Sequence, residues 1–425
     1  MKYAFGLPLV CAAVTAAAQA PPAGEWPAYG RDRGGERYSP LDRINRGNVS
    51  RLAPAWEYST GEAALRITRE MSFEATPLMA FGMLFLSTPL GKVIALQPES
   101  GRELWVTDLK VPPIGFGDFT SRGVSLWSDP AAKRGTPCAT RVIVATVDAR
   151  LTALDARTGR RCAGFGEGGT VDLRRSLRNA PFETEEYEVT SPPAIVGGMI
   201  VVGSSVADNN RADAASGEVR AYEARTGALR WTWDPVPQDP TDPEWSTWIG
   251  PGAHRTGAAN AWSVIAADSA RGLVFVPTGS ASPDYFGGER RGANRYANSV
   301  VALRAATGAV VWHFQTVHHD LWDYDNASPP SLTTITRNGR RIAVVLQTGK
   351  IGMLYVLDRE TGAPVYPVEE RTVPASTVPG EAASPTQPFS GMIPPLSPHH
   401  LSADEVWGPT PADQAVCHDK LKALR

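Results

Sequence analysis

Several things are missing from this sequence, and each absence excludes a class of function. It has no basic block: 42 Lys and Arg stand against 44 Asp and Glu, for a formal net charge of −2. A nucleic-acid partner needs a concentrated positive field, so none is expected. Beyond the first twenty residues no run is long and apolar enough to span a bilayer, so no transmembrane segment is expected. Cysteine is scarce, at four, and no CxxCH motif for covalent heme occurs. There is no G-x-S-x-G nucleophile elbow and no G-x-x-x-x-G-K-[ST] phosphate loop. What the chain has in quantity is 40 Gly and 36 Pro, spread along 425 residues that are 42% hydrophobic and 20% charged. That composition excludes a mainly disordered chain and suits many short strands joined by turns.

The opening "MKYAFGLPLVCAAVTAAAQA" has Lys2, an apolar run and then Ala18-Gln19-Ala20. It is expected to be a secretory signal over residues 1–20, cut after Ala20, which places the remainder in the periplasm or outside the cell. Val10 precedes Cys11, where a lipid-attachment signal requires a small residue, so a lipoprotein is not expected. Export permits disulfides. Cys138 precedes "RVIVATVD" and Cys162 follows "LTALDARTGRR". If those runs form a hairpin, its ends meet and Cys138 can bridge to Cys162, leaving Cys417 over.

Five segments resemble one another: "ALQPESGRELW", "ALDARTGRRCAGF", "AYEARTGALRW", "ALRAATGAVVW" and "VLDRETGAPVY". Each has an apolar pair, a polar turn closed by glycine (Gly101, Gly159, Gly227, Gly308, Gly362), and usually an aromatic. This predicts a β-hairpin whose glycine takes a positive φ, with the aromatic packed between neighbouring units. A β-branched run precedes each turn, so every unit carries several strands. Repeated sheets of this length predict a β-propeller, and the uneven spacing excludes a plain WD-type repeat of about 40–45 residues. In such a fold the functional residues lie far apart in sequence, in the connections between blades.

One short stretch, "HHDLWDYD" (His318 to Asp325), gathers acids, histidines and aromatics. Alone it reads as a surface turn, a metal site or a general base beside a flat cofactor. His318 and His319 are adjacent, and adjacent strand residues face opposite ways, so they are not read as a zinc pair. Asp320 and Asp325 are read as structural hydrogen-bond acceptors.

The segments "FEATP", "SRGVSLW", "TSPP", "VADNN", "NAW", "SPDYFGG", "VHHDLWDYD", "QTGKIGMLYVLDRETG" and "SPTQPFS" occur in one order along the chain. Together they resemble the quinoprotein dehydrogenases, all-β, eight-bladed propellers that bind pyrroloquinoline quinone (PQQ) and Ca2+. The nearer resemblance is to the membrane-bound-type glucose dehydrogenase branch, without its membrane domain. It covers nearly all of the chain after residue 20, so residues 21–425 are expected to be one partial PQQ-binding propeller domain. The resemblance implies that Asp323 is the base, ionised at neutral pH and able to take a hydroxyl proton. It implies Lys350 beside the quinone oxygens, where a cation stabilises developing negative charge. It places Trp262 against the cofactor ring, Arg122 on a cofactor carboxylate, and Glu74, Thr190 and Ser191 in polar contact with the cofactor. Asp208, Asn209, Ser282 and Asp323 match metal positions, with hard oxygens suited to Ca2+. Alone, "DNN" reads as an Asx turn and Lys350 as a hairpin lysine.

Trp127 stands where the glucose branch has histidine and the alcohol branch has tryptophan, so it is expected at the second face of the quinone. The alcohol branch's vicinal cysteine pair is absent. The family continues beyond "DQAVCHDKLKALR", so a C-terminally truncated chain is expected, its open propeller exposing sheet edges. The activity implied is oxidation of an aldose, polyol or related alcohol, with electrons passed to a quinone or periplasmic carrier. The competing expectation is a non-catalytic propeller scaffold or an inactive fragment of such an enzyme. Simultaneous presence of Asp323, Lys350, Asp208, Asn209, Trp262 and Arg122 favours the enzyme.

Overall fold

The computed structural model describes residues 21–423 apart from residues 66 and 68–70. The expected signal at 1–20 lies outside the described residues. The fold is all-β and propeller-like. Four four-stranded antiparallel sheets follow one another, and then a three-stranded one. The first is built from Leu78–Ala80, Met83–Ser87, Lys92–Leu96 and Glu103–Asp108. The second runs from Ser125–Ser128 through Thr140–Ala145 and Arg150–Asp155 to Thr170–Asp172. The third uses Ala194–Val196, Met199–Val202, Val219–Glu223 and Leu229–Trp233. The fourth uses Ala266–Asp268, Leu273–Pro277, Ser299–Arg304 and Val310–Gln315. The last has Ser331–Arg337, Arg340–Thr348 and Leu354–Asp358.

In the second to fifth sheets the first strand contacts the first strand of the next, so these strands line the inside. They surround a cavity of about 380 Å³, which the segment from Pro27 to Arg37 also lines. Continuous apolar strands such as "LVFVP" (Leu273–Pro277), buried along their whole length, form the layers between sheets.

The repeated turn explains how neighbouring sheets stay in register. Gly101, Gly159, Gly227, Gly308 and Gly362 all take φ between 67° and 75°, a region that side chains oppose. At four of them the space over the Cα is filled by a tryptophan: Trp56 over Gly101, Trp105 over Gly159, Trp231 over Gly308 and Trp312 over Gly362. Each indole Nε1 donates to the carbonyl three residues before the glycine: Pro98, Ala156, Ala305 and Arg359, at 2.9–3.1 Å. Over Gly227 the space is taken instead by the Gly166 backbone, Val171 and Phe165. The apolar pair before the turn also repeats a register shift, at Ala95/Leu96, Ala221/Tyr222 and Ala302/Leu303. A bulge there sharpens the local twist that feeds the turn.

Antiparallel order sets the two ends of the molecule. Loops from a sheet's second to third strand leave by the same end as connections to the next sheet, and the remaining turns leave by the other. The turn glycines lie at that other end. So does the disulfide joining Cys138 to Cys162, with Cα atoms 5.8 Å apart. Its hairpin pairs Arg141 with Asp155. Cys417 is free and exposed, on the C-terminal helix Pro411–Ala423.

Candidate active site

Two short ladders at the connection end place half of the site. Met71–Phe73 pairs in parallel with Phe119–Ser121, which sets Glu74 beside Arg122. Arg122 N then donates to Thr190 O at 2.9 Å. Tyr187–Glu188 pairs with Ser205–Val206, just before Thr190 and Asp208 respectively. Arg122 Nε lies 2.8 Å from Glu74 Oε2, and its Nη1 donates to Thr190 Oγ1 at 2.6 Å. Ser191 Oγ donates to the Trp262 carbonyl at 2.6 Å.

The loop after the fourth sheet brings the rest. Asp320 ties it: its carboxylate accepts from Trp322 N, Tyr324 N, Asn298 Nδ2 and Ser280 Oγ. This holds Asp323 at φ 57°, a conformation non-glycine residues seldom adopt and one found often at functional sites. Asp325 accepts from Ser280 N at 2.7 Å and Trp262 Nε1 at 3.0 Å. Gly279 allows that approach, since a Cβ there would stand 2.4 Å from Asp325 Oδ1. Lys350 Nζ lies 2.6 Å from Asp323 Oδ1 and 2.9 Å from Asp325 Oδ2. The Trp262 ring has Arg122 Cζ 5.1 Å and Lys350 Nζ 5.9 Å from its centroid.

The electrostatics follow. Burial and the Asp325 charge push the Asp323 carboxyl up to about 6, with Lys350 pulling the other way. Burial works to lower the Lys350 ammonium, but Asp325 and Asp323 outweigh it and hold its pKa above the usual lysine value. Burial and the charges of Asp284, Asp325 and Asp323 raise the Asp208 carboxyl well above the ordinary range. Burial, with Asp325 and Asp320, raises Asp284 to about 6, against the pull of Arg290. Four carboxylates therefore share a desolvated corner with one lysine in contact.

The comparisons with known proteins bear on what such a corner is for. Residues 26–425 match the family described as PQQ: glucose/ethanol/alcohol dehydrogenase, beta-propeller domain. The chain belongs to this family. It is 38% identical over 416 residues to a quinate/shikimate dehydrogenase (quinone) of Acinetobacter baylyi, covering 94% of this chain and 51% of that one. It is 39% identical over 419 residues to a quinoprotein glucose dehydrogenase of Gluconobacter oxydans, covering 95% and 51%. Among solved structures, the quinohemoprotein alcohol dehydrogenase of Comamonas testosteroni superposes with a TM-score of 0.68 at 27% identity, over 90% of this chain and 52% of that one. The chain thus spans about half the length of the relatives it matches.

The residues present fit the cofactor of a PQQ dehydrogenase domain. PQQ is a flat tricarboxylate, and Trp262 offers a ring with two cations near it, Arg122 and Lys350. Of the five N–H donors of Arg122, the bonds to Glu74 and Thr190 use two, leaving others for a carboxylate. The acid corner fits a hard divalent cation, since Asp284 Oδ1 is buried without a hydrogen-bond partner. Among the described residues no three His, Cys, Asp or Glu side chains already form a metal-binding group.

Not every expected residue is brought to this corner. Trp127 is 4% exposed in the core between the second and third sheets. Its Nε1 donates to Gly197 O, in a turn at the opposite end. Strand alternation could not reveal which end of the strand it occupied. Asn209 is exposed. Ser282 is fully buried, but its hydroxyl faces the Asp208 and Arg211 carbonyls at 2.6 and 2.5 Å. His318 faces Gln315 and Glu370, and His319 faces Asn294. Asp284 and Arg290 were missed, and "PDYFGG" carried the only signal for the first. The site also draws on loops within sheets, at Asp208, Ser282 and Lys350, as well as on connections between them.

Proposed function

We propose that residues 21–425 form the PQQ-binding part of an eight-bladed quinoprotein dehydrogenase acting on a hydroxyl group of an aldose, polyol or related alcohol. The observation that supports it most is the contact of Asp323 with Lys350 beside the Trp262 ring. Asp323, partly exposed, accepts the hydroxyl proton. Lys350 serves first as the partner that keeps Asp323 largely ionised at neutral pH, and second as a fixed cation beside the cofactor. Asp325 holds both Lys350 and the Trp262 indole, so base, cation and ring platform move as one unit. Arg122, oriented by Glu74 and Thr190, grips a carboxylate, and Ser191 fixes the backbone under Trp262.

Bound PQQ supplies the electron acceptor, and Ca2+ held by Asp208 with Asp323 supplies Lewis acidity. Asn209 and Ser282 belong to the loops that carry this metal site. Electrons leave to a quinone or a periplasmic carrier, in keeping with the export signal expected at residues 1–20. The test is PQQ titration of the purified chain with Ca2+, followed by quenching of tryptophan fluorescence. Dye reduction is then measured with aldoses, polyols and simple alcohols, with each cofactor omitted in turn. Saturable quenching and activity that needs both cofactors support the reading. A chain that binds no PQQ contradicts it.

A further inference from the structure

Asp284 follows Ser282 and Pro283 on the loop joining the second and third strands of the fourth sheet. It is 1% exposed, and its Oδ1 is enclosed with no hydrogen-bond partner. Three bonds fix where it sits. Ser282 Oγ donates to the backbone oxygen of Asp208 at 2.6 Å, fastening this loop to the one that carries Asp208. Arg290, also 1% exposed, donates to Pro283 O at 3.0 Å and to Asp320 O at 2.7 Å, fastening it to the loop of Asp323. Arg290 Nη1 and Nη2 donate to Asn294 Oδ1 and to those carbonyls, while its Nε, like Asp284 Oδ1, has no hydrogen-bond partner. Among the described residues neither Asp208 nor Asp284 forms an ion pair, whereas Asp323 and Asp325 share Lys350.

A buried carboxylate oxygen without a donor is unfavourable, and a second unpaired carboxylate in the same corner compounds the cost. Hard cations satisfy such oxygens. We propose that Asp284 is a ligand of the divalent cation, acting with Asp208 on the same ion. This rests on the reading of a Ca2+-dependent site given above. With Asp323 assigned to the same ion above, three carboxylates leave the rest of a shell of six to eight oxygens to carbonyls, water and cofactor.

The thermal unfolding midpoint of the full chain, with PQQ present, is measured in EDTA and across a Ca2+ series. The wild type, Asp208→Asn, Asp284→Asn and the exposed control Asp239→Asn are compared. The wild-type and control midpoints are expected to rise with Ca2+. Asp284→Asn is expected to need at least about tenfold more Ca2+ for half the rise. In EDTA its midpoint should equal or exceed the wild type's, because one of two unpaired carboxylates is gone. If Asp284→Asn follows the wild-type Ca2+ curve while Asp208→Asn does not, the inference is overturned and the metal reading stands. A wild-type midpoint indifferent to Ca2+ overturns both. Should Asp284→Asn fail to fold, Asp284→Glu displaces the oxygen by one methylene. Several-fold weaker Ca2+ dependence is then expected, and an unchanged curve rejects the proposal.

Discussion

At the scale of the residue, the site is a set of charges whose partners are few. Lys350 is the only side-chain cation in contact with Asp323 and Asp325 among the described residues. Replacing it by methionine leaves those two carboxylates unpaired and takes a positive charge from beside the ring platform. Turnover in Lys350→Met is expected to fall by about 10²-fold or more, with PQQ still quenching fluorescence; steady-state rates and PQQ titration check this together. Asp323 and Lys350 were legible in the sequence because "LWD" and "QTGKIG" fall in one ordered series of nine segments, though neither string is decisive alone. Asp284 and Arg290 were not, because their meaning lies in burial and in which loops they tie. A lone acid after proline reads as a turn until its oxygen is seen to have no partner.

At the scale of the element, the repeated hairpin is what the sequence shows best. Glycine, apolar pair and aromatic are local signals of a positive φ and a bulge, and those are local consequences. The docking of each indole on the next sheet's turn is long-range, and repetition alone made it readable. Trp231→Phe keeps most of the buried ring over Gly308 but leaves the Ala305 carbonyl without its donor. A loss of about 1–2 kcal/mol is expected. Chemical denaturation should show it as a lower midpoint at unchanged slope, with PQQ affinity unaltered because the turn lies at the far end from the site. Trp127 marks the limit of reading by element. Its strand was identifiable, yet neither face nor end followed from a sequence of alternating residues.

At the scale of the molecule, buried titratable groups beneath the site tie its stability to pH. Burial, with the nearby Arg290 charge, holds His319 down to about 4, while its free value lies near 6.5. The unfolded chain therefore takes up the proton first. The stability that His319 contributes is complete above about pH 6.5 and is lost as pH falls toward 4, by about 3 kcal/mol. Unfolding midpoints from pH 7 to 4 should fall less steeply in His319→Gln than in the wild type. Carboxylates also lose stability in that window, so the difference between the two curves is the observable. The propeller-like architecture was legible from five repeats. The small parallel ladder that sets Glu74 beside Arg122 was not, since three-residue strands carry no pattern of their own.

The most direct test of the central claim, that Asp323 is the base of a PQQ-dependent dehydrogenase, compares wild type with Asp323→Asn in one preparation. Both are loaded with PQQ and Ca2+ and assayed for dye reduction on the best substrate of the panel. The account predicts a rate reduced by about 10²–10⁴-fold while PQQ still quenches the tryptophan fluorescence of the variant. Turnover equal to the wild type's, with PQQ bound, would contradict it.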